Sequence, residues 1–509
     1  MPDQDPTKPA STGGMEIRHS LNVEIPKINI LLYADDPDSV NKSSAKSQFL
    51  SLGLMLERLK AHEPASATFS PIYKCRYESG NPNTIHKIDD ALLQSIDEIW
   101  FFGLNQTNQT RPSSAFFTGG PENELDANEV SALQKWMSEA NGFPGGGVLM
   151  TGDHSNPRPG NALPSANPAP CPDAAATSDL VGLGRAIGRC VPRAGLLRTW
   201  EGLPTNDPAE SNNTVENISS EFDEIAQRLT PLLVNEVGEP DPQGQPHPLF
   251  YYKPGKFITF FPDHPHEGSL TTPDTFDPAV WPAAPNGPQP LPHVVAKGIN
   301  QRTSEPLDII AAYHGDRAGV GRIVVDSSWH HYFNFNLEGF PDTALEDSAG
   351  DQIGQFYANL AIWLAPASKR RQMAHAIFWQ LAKYSMRMEF MVNDPQPELR
   401  IGKTTDKILA KVASPCEIHE LLQAVTPERY GAQRYAERRP ALSHLPSREL
   451  LLGSIMCCYH AEVNRADAAD ESYVPLTVDE VIATGFNYAL EKHVELLKQK
   501  TAEAESFLG

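Results

Sequence analysis

Gly145-Gly-Gly-Val-Leu-Met-Thr-Gly-Asp-His-Ser155 and Gly321-Arg-Ile-Val-Val-Asp-Ser-Ser-Trp-His-His-Tyr-Phe-Asn334 carry the architecture of this chain. In each, a short apolar run of strand length stops at an acid, and histidine follows at once or shortly after. Short apolar runs bounded by glycine and polar residues read as buried strands. In open α/β sheets, ligands bind outside the carboxyl ends of the strands. The two stretches therefore predict a parallel sheet and mark the edge where a site belongs.

Working outward, Lys27 to Tyr33 reads as a buried first strand followed by Ala34-Asp35-Asp36. Phe49, Leu52, Leu56 and Leu59 recur at helical spacing behind a cap at Ser43 or Ser44. Asp97 to Gly103 is a second buried strand. Asp126 and Glu129 make a capping-box-like helix start, continued by Val130, Leu133 and Trp136 or Met137. Leu307 to Tyr313 and Arg322 to Asp326 predict a hairpin around Gly315 and Gly319. Ile353, Phe356, Tyr357, Leu360 and Trp363 or Leu364 mark a helix stripe that Pro366 ends. Strand–helix alternation of this kind predicts a flavodoxin-like, mostly parallel α/β sheet with helices on both faces. From Ala367 onward only helical periodicity remains, predicting a separate α-helical domain over 367–509. Residues 1–25 read as a disordered leader. Proline-rich insertions lie near 156–173 and 262–292, far above the roughly 5% proline background, and both start beside the histidine-bearing strand ends, as lids would.

Composition narrows the function classes. The 509 residues are 40% hydrophobic and 21% charged, and Lys+Arg 42 against Asp+Glu 64 leaves a net charge of -22. That balance argues against nucleic acid and against an anionic membrane as partners. No apolar run approaches the roughly 18 residues that span a bilayer. The six cysteines form no C-x-x-C pair, so a reduced, cytoplasmic protein is expected. Gly182-Leu-Gly184-x-x-x-Gly188 has the wrong spacing and no preceding strand for a dinucleotide fingerprint, so no nucleotide cofactor is expected.

The strands INILLYADD (28–36), DEIWFFG (97–103), GGGVLMTGDHS (145–155) and GRIVVDSSWHH (321–331), with the helix QFYANLAIWLAP (355–366), together resemble the class I glutamine amidotransferase-like superfamily. Within it the chain is most similar to the ThuA-like and gliding-motility-type branches. The resemblance covers about residues 26–366 and implies the flavodoxin-like fold. It also carries a departure. Glutaminases of that superfamily use a cysteine in a G-x-C-x-G-like elbow, where this chain has Thr151-Gly-Asp-His-Ser155. Phe261-Pro-Asp-His-Pro-His-Glu-Gly268 superficially matches their His-Pro-Glu, but glutamine amidotransfer is not expected without a nucleophile.

The candidate chemistry lies in Asp153-His154, in Asp263-His264-x-His266-Glu267, and in Asp326 with His330-His331. Neutral imidazole and carboxylate are ligands for zinc, iron or manganese. A divalent metal on His154, His264, His266, His330 or His331 would acidify a bound water, with Asp153, His154, Asp263 and His330 as catalytic groups. The substrate class expected is small and polar. A plainer reading has Asp153 capping a turn and residues 329–333 forming a packed aromatic plug. The chain would then be a non-catalytic ligand-binding or scaffolding module whose C-terminal helices meet a protein partner.

Overall fold

A computed structural model describes residues 25–34, 51–78, 81–102, 127–139, 142–151, 198–200, 226–235, 238–262, 269–271, 283–285, 289–299, 306–327, 329–337, 347–385, 397–424, 448–468 and 478–508. The main sheet has eight strands: β1 (Lys27–Ala34), β2 (Thr68–Cys75), β3 (Glu98–Phe102), β4 (Gly147–Thr151), β5 (Thr230–Pro231), β6 (His293–Ile299), β7 (Pro306–Tyr313) and β8 (Ile323–Asp326). Their spatial order is β2-β1-β3-β4-β8-β7-β6-β5. The first five run parallel, and taken in chain order they read 2-1-3-4-5, the flavodoxin-like winding. β7 joins β8 antiparallel as the expected hairpin, with Ile310 opposite Asp326, and β6 and β5 extend that side antiparallel. Gly319, at φ 75°, makes the left-handed turn of the hairpin.

Alternate residues of each central strand feed two different cores, as the period of two requires. Ile30, Leu32, Trp100, Phe102, Leu149 and Val324 join the face covered by α1 (Gly53–Ala61) and α3 (Ala349–Leu364). Leu31, Tyr33, Ile99, Phe101, Val148, Met150 and Val325 join the face covered by α2 (Ala127–Met137). Helices therefore lie on both faces. Burial on both sides explains why these strands are nearly all apolar.

Several local expectations resolve differently in detail. The caps proposed at Ser43 and Ser44 lie outside the described residues; at the start of α1, Ser51 Oγ accepts from Gly53 N. Asp126 of the expected capping box lies outside the described residues, whereas Glu129 is in the first turn of α2. Its carboxylate takes Arg76 in two hydrogen bonds of 2.8 and 3.0 Å and also accepts from Ile88 N, clamping α2 to the loop after β2. The glycine run into β4 answers to packing. A Cβ at Gly147 would overlap the Leu364 carbonyl at the end of α3.

The C-terminal region is helical: α4 (Ala367–Ser385), α5 (Pro397–Val412), α6 (Pro415–Ala424), α7 (Arg448–Ala468) and α8 (Val478–Leu508). It has a core of its own, including Ile377, Phe378, Leu409, Leu452, Ile455 and Phe486. α6 also packs on α3 and on the segment around Tyr251–Lys253, and Cys416 belongs to the α/β core. No helix among the described residues is long and apolar enough to cross a membrane.

Candidate functional site

The carboxyl edge of the parallel sheet holds the candidate site. β4 and β8 are neighbours in register, with Thr151 opposite Asp326. The two strand ends singled out in the sequence therefore finish side by side. Thr151 turns its hydroxyl back to the Phe101 carbonyl at 2.9 Å, and Asp326 stands beside it.

Asp326 is fully buried, held by side chains of the turn that follows it. His331 Nδ1 lies 2.7 Å from its Oδ1, and the Tyr332 hydroxyl donates to Oδ2 at 2.9 Å. The tight turn Trp329–Tyr332 folds both side chains back onto the strand end that precedes it. A carboxylate on Nδ1 fixes the imidazole with its hydrogen there and makes Nε2 the basic nitrogen. Tyr357 of α3 steadies the turn by donating to the His331 carbonyl at 2.5 Å. Burial, with the Asp326 charge adding to it, pushes the Tyr332 hydroxyl well above its ordinary range, so Tyr332 stays a donor.

Aromatic rings wall the dyad. Phe261 stands edge-on to His331 at 4.6 Å, Phe102 meets Tyr332 at 5.4 Å and Phe333 at 5.9 Å, and Tyr332 meets Tyr357 at 5.5 Å. Phe261 also opens the third histidine-bearing segment, so the described starts of all three segments reach one edge. Asp153, His154, Asp263, His264 and His266 themselves lie outside the described residues. So does the side chain of His330, whose backbone belongs to the turn. Among the described residues no group of three His, Cys, Asp or Glu could hold a metal ion. His331 is the one proposed ligand whose side chain is described.

The opposite edge carries a second polar cluster that sequence reasoning did not reveal. Arg322, just ahead of β8, pairs with Asp316 at 3.0 Å and with Glu420 of α6 at 2.9 Å. Arg370 of α4 pairs with the same two acids at 2.5 and 3.3 Å. Arg322, Arg370 and Glu420 are buried, and the Asp316 side chain is 7% exposed. Burial alone would raise the Glu420 carboxyl, but Arg322 and Arg370 outweigh it and hold the group below its ordinary value. Arg322 also lies 4.8 Å over the Trp363 ring. Its place after a hairpin glycine was visible in the sequence; its partner 98 residues away was not.

Comparison with protein-family models, curated proteins and solved structures finds no match to this chain. The class defined by fold and edge is a flavodoxin-like α/β protein with a buried carboxylate–imidazole pair at the carboxyl edge of its sheet.

Proposed function

We propose that this chain is a hydrolase of the class I glutamine amidotransferase-like type that works without the glutaminase cysteine, on a small polar substrate at the carboxyl edge of its sheet. The observation that carries this reading is the buried Asp326–His331 pair beside the end of β4. A histidine that gives Nδ1–H to a carboxylate offers Nε2 either as a general base toward water or as a metal ligand. In the metal-assisted form, His331 Nε2 with His154, His264, His266 and His330 would hold zinc, iron or manganese. Such an ion supplies a water acidic enough to attack near neutral pH. Asp326 would orient the neutral imidazole as a ligand, and Asp153 or Asp263 would manage the proton. Phe261, Phe102 and Tyr332 exclude bulk water, which strengthens each polar contact inside.

One observation favours a second reading. Asp326 and His331 are both 0% exposed, as in an anchor that holds the edge in shape for a non-catalytic ligand-binding module. Substrate screening separates the two. A panel of small amides, esters and cyclic amides is assayed with wild-type protein, Asp326→Asn and His331→Gln. A turnover that both variants lose, with folding intact by circular dichroism, supports the hydrolase. Turnover that survives in both removes the dyad from any mechanism.

A further inference from the structure

The amino edge of the sheet contains histidines that the hydrolase reading does not use. His247 and His314 meet head to head, Nε2 to Nε2, at 3.2 Å. His247 is fully buried and His314 is 9% exposed. The Leu249 N–H points at His247 Nδ1 from 3.4 Å. Nδ1 is thus an acceptor, and the hydrogen of a neutral ring sits on Nε2. His247 therefore donates to His314, whose own hydrogen is on Nδ1. The same contact argues against a metal between the two Nε2 atoms, because a ligating His247 would turn an Nδ1–H onto the Leu249 N–H.

The surroundings are specific. Trp363 of α3 stands edge-on to both rings, at 4.9 Å from His247 and 5.1 Å from His314. Arg322 approaches from β8, Asp316 and Arg317 from the turn Gly315–Ala318, and His419 with Glu420 from α6. α6 rests on the turn Pro248–Phe250, which His247 caps. Burial first, then the neighbouring histidines and Arg322, hold His247 well below the ordinary imidazole range. Burial and Arg322 do the same to His314 against the opposing pull of Asp316. Burial and Arg322 also lower His419 against Glu420.

We propose that the His247–His314 pair is an acid-operated latch that holds α6, and with it the helical region, against the amino edge of the sheet. A proton on His314 Nε2 sets two N–H groups face to face. A proton on His247 Nδ1 opposes the Leu249 N–H instead. Either one places a new cation beside Arg322, where Glu420 anchors α6. The latch holds above the ordinary imidazole value of about 6.5 and weakens as pH falls below it, because the opened form binds more protons. Each histidine that gains a proton on opening raises the open fraction about tenfold per pH unit. At pH 5.5 that amounts to about tenfold for one ring and about a hundredfold for two.

Hydrogen exchange of the full chain at pH 7.5 and 5.5, corrected for intrinsic rates, tests the latch. The amides of His247, Leu249 and Phe250 and of 416–424 should exchange at least about tenfold faster at pH 5.5, while those of α7 do not. Cys416, buried at the docked face of α6, should become open to a thiol reagent that works in acid. In a His247→Gln/His314→Gln variant, two neutral amides replace the pair, and both responses should vanish. Equal protection of α6 in the wild type at the two pH values overturns the proposal. So does a folded variant that opens at pH 5.5 as the wild type does. If the variant does not fold, the two wild-type readouts decide alone.

Discussion

The two edges of the sheet hold their buried polar groups in opposite ways. At the amino edge, four charges from β8, the following-in-space α4 and α6, and the turn Gly315–Ala318 neutralise one another, and the nearby histidines stay neutral. At the carboxyl edge the Asp326 carboxylate is held by an imidazole and a phenol. A closed ion network suits a joint, because every charge already has its counterpart. A carboxylate tied to Nδ1 of an imidazole fixes the tautomer and orientation of that ring. The helical region seals the first edge through Glu420. The second is where β1, β3 and β4 end, at Ala34, Phe102 and Thr151.

Cutting the joint should cost most. Glu420→Ala leaves Arg322 and Arg370 buried with Asp316 as their remaining counter-charge, and about 3–5 kcal/mol of stability should be lost, read from denaturant unfolding. A loss below about 1 kcal/mol would mean that the network is wet and the contrast between edges is weaker than described. Gly147→Ala, at the start of β4, presses a methyl group on the Leu364 carbonyl. It should cost roughly 1–3 kcal/mol by overpacking, and an unchanged melting temperature would contradict the close approach of α3 to this edge.

The carboxyl edge should behave differently. Asp326→Asn keeps the shape of the dyad and weakens two hydrogen bonds to a charged acceptor, so about 1.5–3 kcal/mol is expected. Its effect on turnover or ligand binding should be complete or nearly so. Glu420→Gln should show the reverse pattern, with stability lost and the site intact. Equal functional loss in both variants would erase the distinction. Tyr357→Phe removes the hydrogen bond to the His331 carbonyl and should cost only about 0.5–1.5 kcal/mol. A larger loss would show that the turn Trp329–Tyr332 depends on α3 more than its contacts suggest.

What was legible in the sequence follows the range of the forces involved. β1, β3, β4 and β8 announce themselves because strands buried on both faces must be apolar throughout, and the stripe of α3 because one helical face must be. β2 was not marked. It is an edge strand, half-buried, and carries Pro71. Thr68 and Arg76 direct their N–H groups to the β1 side, so by alternation Pro71 sits where the outward-facing donor would be, a place that tolerates proline. The dyad was half legible. Asp326 and His331 were named, but the turn that folds one onto the other has no periodic signature. The amino-edge cluster was not legible at all. His247 and His314 are 67 residues apart, and Arg322 and Glu420 are 98 apart. Such pairs are set by the winding of the sheet and the docking of α6, which local pattern does not record.

The central claim is that the carboxyl edge around His331 is a working site. Elemental analysis of untagged protein, compared with a His154→Ala/His331→Gln variant, tests its metal-assisted form most directly. The account predicts near-stoichiometric zinc, iron or manganese in the wild type and its loss in a folded variant. No metal in the wild type even after zinc, iron and manganese are supplied, or equal metal in both proteins, would contradict it.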